Sequence, residues 1–147
     1  MSGLDVAAGA ASVVGLCNLV VSKLLPFLRD SAHIDETVRR FHREICDFKN
    51  VLVVVEANFG ARTDFRLQRS FDRAKARAMK RHVEECKKTI DEIERELPEP
   101  QFENRNYAQQ MLTQLHIVIG SNALSKLRQD IPTLKATLQL WLQVVQV

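Results

Sequence analysis

From Val6 to Ser22 the chain runs for 17 residues, VAAGAASVVGLCNLVVS, without a charged side chain. This is the heart of the most apolar segment, Leu4 to Leu28. Such a run is stable only in a protein core, at an interface or in lipid. As a helix it spans about 26 Å at 1.5 Å per residue, slightly less than a ~30 Å hydrocarbon core. Asp5 stands where a secretory signal would carry basic residues, and the run leads directly into a region with folded-domain patterning. Pro26 is predicted to kink or end the helix, because it removes one backbone donor.

The rest of the chain reads as further helices. Asp30 and Ser31 offer capping chemistry. Ile34, Val38, Phe41, Ile45, Phe48, Leu52, Val55 and Phe59 then recur in alternating steps of four and three, the spacing of one helix face, and Gly60 closes the segment. A second seam follows as Met79, Val83, Cys86, Ile90, Ile93 and Leu97, ended by Pro98 and Pro100. These two helices are predicted to pack against each other antiparallel, joined near residues 60–64. Residues 101–104 read as a loop and residues 107–119 as a shorter helix. After Gly120 a last seam runs Leu124, Leu127, Ile131, Leu134, Leu138, Trp141, Val145. It keeps phase through Pro132, as one kinked helix or as two abutting helices with Asp130 capping the second. With only 5 Gly and 4 Pro, long helices are favoured over a many-turned β sandwich. The expected fold is all-α: an up-down four-helix bundle over residues 1–147, one domain, with an apolar N-terminal helix and one short extra helix. Its core is expected to include Leu16, Val20, Phe41, Ile45, Phe48, Leu52, Val83, Ile90, Leu127, Leu134, Leu138 and Trp141.

The net charge of +3 conceals an uneven distribution. Residues 61–81 carry 8 basic and 2 acidic side chains, and residues 82–103 carry 3 and 8. Arg62, Arg66, Arg69, Arg73, Arg77 and Arg81 recur every three or four residues, with Phe65, Leu67 and Phe71 interleaved. Arginine at a helix start and acid at its end both oppose the helix dipole, so the arrangement costs stability and suggests a surface kept for a partner. The bland alternative is a solvated basic face; the candidate partners are anionic lipid headgroups or an acidic protein surface. Nucleic acid is not favoured, because no stacking platform or recognition motif accompanies the stripe.

Catalysis is not expected. The chain lacks the phosphate-binding, dinucleotide-binding, zinc-protease, hydrolase-elbow and calcium-loop signatures. His42 with Cys46 and His82 with Cys86 each sit one helical turn apart, a spacing compatible with metal. In an antiparallel pair, however, the two thiols would diverge too far for one tetrahedral site, so neither metal nor cofactor is expected. Three cysteines without a CxxC favour a reducing compartment over a disulfide scaffold.

The first helix also carries small residues four apart, Ala7, Ala11 and Gly15, with Ala8 and Ser12 as a second pair. Such ladders allow close helix approach in water or in lipid. For the resting fold, the favoured reading is a central helix surrounded by the others. The opening LDVAAGAASVVGLCNLVVSKLLPFL, followed in order by VRRFHREICDFKNVLVVVE, VEECKKTIDEIEREL and LRQDIPTLKATLQLWLQ, resembles the HeLo-like domains found at the front of many fungal NLR-like (STAND) receptors. That resemblance implies a cell-death domain, similar to the bundles of necroptosis pseudokinase effectors and the coiled-coil domains of plant resistance proteins. Such a domain self-associates when a downstream receptor module is activated and targets or permeabilises membranes through its N-terminal helix. Here Leu4, Ala7, Ala8, Ala11, Ser12, Gly15, Leu16, Leu19 and Val20 would form the membrane and oligomerisation surface. The chain would be cytoplasmic at rest and at the cell membrane when activated. The alternative is a soluble protein–protein adaptor at the front of such a receptor, whose first helix never leaves the core.

Overall fold

A computed structural model describes residues 3–29, 36–60, 73–98 and 113–146. The chain forms an all-α bundle of four long helices: α1 (Gly3–Arg29), α2 (Glu36–Gly60), α3 (Arg73–Glu96) and α4 (Asn122–Gln146). One short helical segment, 113–119, precedes α4, and there is no strand among the described residues. The capping positions Asp30 and Ser31, the start of the α2 seam at Ile34 and the loop at 101–104 lie outside the described residues.

Alternation of apolar and charged positions explains three of the helices. Val38, Phe41, Ile45, Phe48, Leu52, Val55 and Phe59 of α2 are all buried, as are Met79, Val83, Cys86, Ile90, Ile93 and Leu97 along α3. In α4, Leu124, Ile131, Leu134 and Leu138 are buried, while Leu127 and Trp141 pack partly exposed against the core. Leu115 and Ile119 of the short segment join the same cluster. Of the twelve expected core residues, nine are buried and Leu16, Leu127 and Trp141 lie at its margin.

Neither helix-internal proline acts as a stop. α1 continues past Pro26 to Arg29, and the carbonyl that loses its partner belongs to Ser22, an exposed residue open to solvation. α4 is one helix through Pro132, so Asp130 lies inside it and is not a cap. The cap is Ser121, whose hydroxyl donates to the Val118 carbonyl (2.7 Å) and accepts from the Leu124 amide (3.3 Å).

Helix directions follow from short connections and polar ties. α1 is about 40 Å long at 27 residues, but the seven steps from Arg29 to Glu36 reach only about 25 Å, so α2, which packs against α1, must run back along it. Gly9 meets Val83, while Lys23 meets Glu94 and Leu97 further along both helices, so α1 and α3 are parallel. His82 meets Leu134, and the cleft residues from Glu85 to Glu96 face those from Leu134 back to Ala123, so α3 and α4 are antiparallel. The directions alternate as expected, but the lateral order does not. α1 packs against both α2 and α3, and α4 closes the other side against the same two. The α2–α3 pair expected to form a hairpin instead lies across a diagonal, because the parallel α1 takes the place beside α3.

That close approach depends on a missing side chain. A Cβ on Gly9 would stand 2.9 Å from Val83 Cγ1, too close to be accommodated without a shift, whereas one on Gly15 would meet nothing within 4 Å. Gly9→Ala should therefore lower the thermal midpoint despite the better helix propensity of alanine, whereas Gly15→Ala should raise stability by about 0.5–1 kcal/mol. Thermal unfolding of the two variants measures this contrast. Phe48 is fully buried, so Phe48→Ala should cost about 3–5 kcal/mol in a denaturant titration.

Candidate functional site

The apolar first helix has two faces. Val6, Ala10, Val13, Cys17, Val20, Leu24 and Phe27 recur in steps of four and three, and all are buried against α2 and α3. Asp5, Ala8, Ser12, Gly15, Leu19 and Ser22 recur with the same alternation, and all are exposed. The expectation of a helix surrounded by the others is thereby corrected. Among the described residues only two long helices cover α1, and 8 of the 24 residues of its spanning-length stretch Asp5–Leu28 are buried. The outer face is smooth, since its one large side chain is Leu19, 51% exposed.

The candidate residues consequently divide. Ala7 and Val20 are buried, Ala11 and Leu16 are half-buried, and Ala8, Ser12, Gly15 and Leu19 face outward. The ladder Ala7, Ala11, Gly15 does not lie on one face of the bundle: it climbs from the core to solvent, because steps of four drift against 3.6 residues per turn. The outward set is Ala8, Ser12, Gly15 and Leu19. Leu4 lies in α1, with its side chain outside the described ones.

Sequence reading missed what holds α1 down. The Lys23 ammonium is 2.9 Å from the Glu94 carboxylate and donates to the Glu94 carbonyl at 3.0 Å and the Leu97 carbonyl at 3.5 Å. Its side chain is only 13% exposed. The last turn of α3 presents carbonyls without intrahelical partners, and a largely buried cation satisfies them while complementing the negative end of the helix dipole. Lys23 was legible as the first charge after the apolar run, but its partner lies 71 residues away.

Of the arginine stripe, Arg62, Arg66 and Arg69 lie outside the described residues, and Arg73 opens α3 with its side chain outside them. Arg77 and Arg81 are exposed, and no ion pair joins either to another described residue. The acidic half of α3 differs: Glu94 pairs with Lys23, and Asp91 pairs with Arg95. α4 is fixed by Arg128, whose guanidinium grips the Glu44 carboxylate at 3.1 and 3.2 Å and lies 5.4 Å from the Phe41 ring centroid. An open cleft of about 710 Å³ separates α3 from α4, lined by both charge signs.

The histidine and cysteine positions build structure. His82 donates its Nε2 proton to the Leu134 carbonyl at 3.0 Å. His42 lies beside Cys46, with ring nitrogens 3.7 and 3.9 Å from Sγ, and burial lowers its pKa below the usual 6.5. Burial pushes the Cys17 and Cys86 thiols up to about 12, which removes their thiolate reactivity at neutral pH. Among the described residues no cluster of three or more His, Cys, Asp or Glu side chains is placed to hold a metal ion.

No family model, curated protein or solved structure matches this chain. The site's chemistry is therefore read from its own residues.

Cys17 faces the core from α1 and reports on its seating. A disulfide reagent at neutral pH should label half-buried Cys46 first and reach Cys17 and Cys86 only as the bundle opens. Lys23→Met leaves Glu94 and two carbonyls without their cation. It should cost about 1.5–3 kcal/mol and accelerate labelling of Cys17, measured by denaturant titration and by mass-resolved thiol modification.

Proposed function

We propose that the chain is a non-enzymatic signalling and execution domain that self-associates and acts on membranes through α1. The observation that carries this reading is a helix apolar and long enough to cross a bilayer, Asp5–Leu28, seated with a smooth face outward. A helix serving only as core would gain nothing from Leu19 and a row of small residues in water. A helix that packs against copies of itself, or enters lipid, gains from both, since small residues let backbones approach and the missing charges spare the cost of burying ions. The basic start of α3 supplies attraction to an anionic leaflet. The resemblance to HeLo-like domains points the same way, to cell-death signalling alongside an NLR-like receptor module, with the domain cytoplasmic at rest and at the cell membrane once activated.

A second reading rests on Lys23. A partly buried ion pair and two carbonyl bonds hold α1 to α3, which suits a soluble adaptor whose first helix stays in place.

Dye release from anionic vesicles separates the two. The full chain, assembled at high protein concentration, should release dye. Gly15→Leu should retain the bundle, because a Cβ at Gly15 meets open space, yet release at least tenfold less by blocking close approach of α1 helices. If the assembled full chain never releases dye, the adaptor reading replaces this one.

A further inference from the structure

The end of the bundle where α1 begins brings together exposed arginines and an exposed leucine. There α2 and α4 finish and α3 starts, as the helix directions require. The register of α3 against α4 is set by the His82 bond to the Leu134 carbonyl. Leu140 lies six residues beyond Leu134, about 9 Å along the axis, which in an antiparallel pair brings it level with residues 76–77. Leu140 is 61% exposed, and Arg77 and Arg81 are exposed and unpaired within the described residues.

Heptad spacing places them across one gap. Lys88 and Arg95 line the α3 side of the cleft, and Arg81 precedes them at the same seven-residue interval. Lys126 and Thr133 line the α4 side, and Leu140 follows at that interval. Arg81 and Leu140 thus continue the two rims past the His82–Leu134 contact, where the cleft itself ends. Next to Leu140 is Trp141, the single tryptophan of the chain, half-buried against the core.

We infer that this end of the bundle, through Arg77, Arg81 and Leu140, docks on an anionic lipid surface, with the start of α1 facing the bilayer. An acidic protein or a nucleic acid would use the arginines but gains little from an exposed leucine beside them. A leaflet uses both: headgroup phosphates meet the guanidiniums while the apolar side chain enters the interface, the level that tryptophan favours. The inference rests on the membrane reading above, but it concerns attachment and orientation rather than release of contents.

Vesicle flotation and Trp141 fluorescence test it on the full chain, with vesicles of phosphatidylcholine alone or with about a third phosphatidylserine. Binding is expected only to the anionic vesicles, with a blue shift of Trp141 emission and protection from aqueous quenchers. R77Q/R81Q should weaken binding about 25-fold, near fivefold for each arginine. L140Q should weaken it about tenfold and abolish the blue shift. All three side chains are exposed, so circular dichroism should be unchanged. Binding without a Trp141 shift, or binding indifferent to L140Q, overturns the inference. The second result, with arginine-dependent capture on a polyanion, identifies an acidic macromolecule as partner. Absence of binding to anionic vesicles also overturns it. Dye release judges the membrane reading separately: release that survives R77Q/R81Q and L140Q overturns this docking surface alone.

Discussion

The bundle depends on the contact between α1 and α3 at Gly9 and Val83. α2 packs against α1, and their connection is too short for any but the antiparallel direction, but α3 has a choice of neighbours. It takes the place beside α1 because one missing Cβ lets the two backbones come together, and because Lys23 closes the far end of the same interface. Once α1 lies between α2 and α3 on one side, α4 must cover the opposite side, and Arg128 and His82 tie it to both partners. The parallel arrangement runs the two helices the same way, and Lys23 of α1 stands at the negative end of α3.

How much of this could be read from sequence varied with how sharply polar residues marked the outer face. α2 and α3 alternate apolar with charged positions, so their buried seams were visible residue by residue. α4 was visible for the same reason, and Pro132 misled only on whether one helix or two carried the seam. α1 gave no such signal. With no charge between Asp5 and Lys23, its outer face is marked only by the uncharged Ser12, Asn18 and Ser22, against Val13, Cys17 and Val20 inside. The ladder Ala7, Ala11, Gly15 advances by four, whereas the buried face advances by four and three in turn.

Lateral order was not legible, for a different reason. Hydrophobic seams state which side of a helix is buried but not against what, and a hairpin between sequence neighbours is the simplest guess. The deciding residues are one glycine and one lysine, neither distinctive locally. The arginine stripe could be read as a charge pattern, but not where the chain would set it. The placement of Arg77 and Arg81 towards the end of the bundle where α1 starts follows from helix directions that the α1–α3 contact fixes. Sequence therefore identified the groups of the candidate surface better than their arrangement.

The tie between Lys23 and the end of α3 also has a consequence during synthesis. Leu97 is made 74 residues after Lys23, which at about 5–20 residues per second leaves an interval of roughly 4–15 s. Throughout that time the most apolar helix of the chain has at best α2 as company, with the surface destined for α3 in water. A helical hairpin forms within microseconds, so the delay is set by translation rather than by folding. For those seconds the nascent chain presents a long uncharged helix to whatever binds such segments near the ribosome. Slow codons between α2 and α3 would prolong that exposure without changing a single residue of the finished bundle.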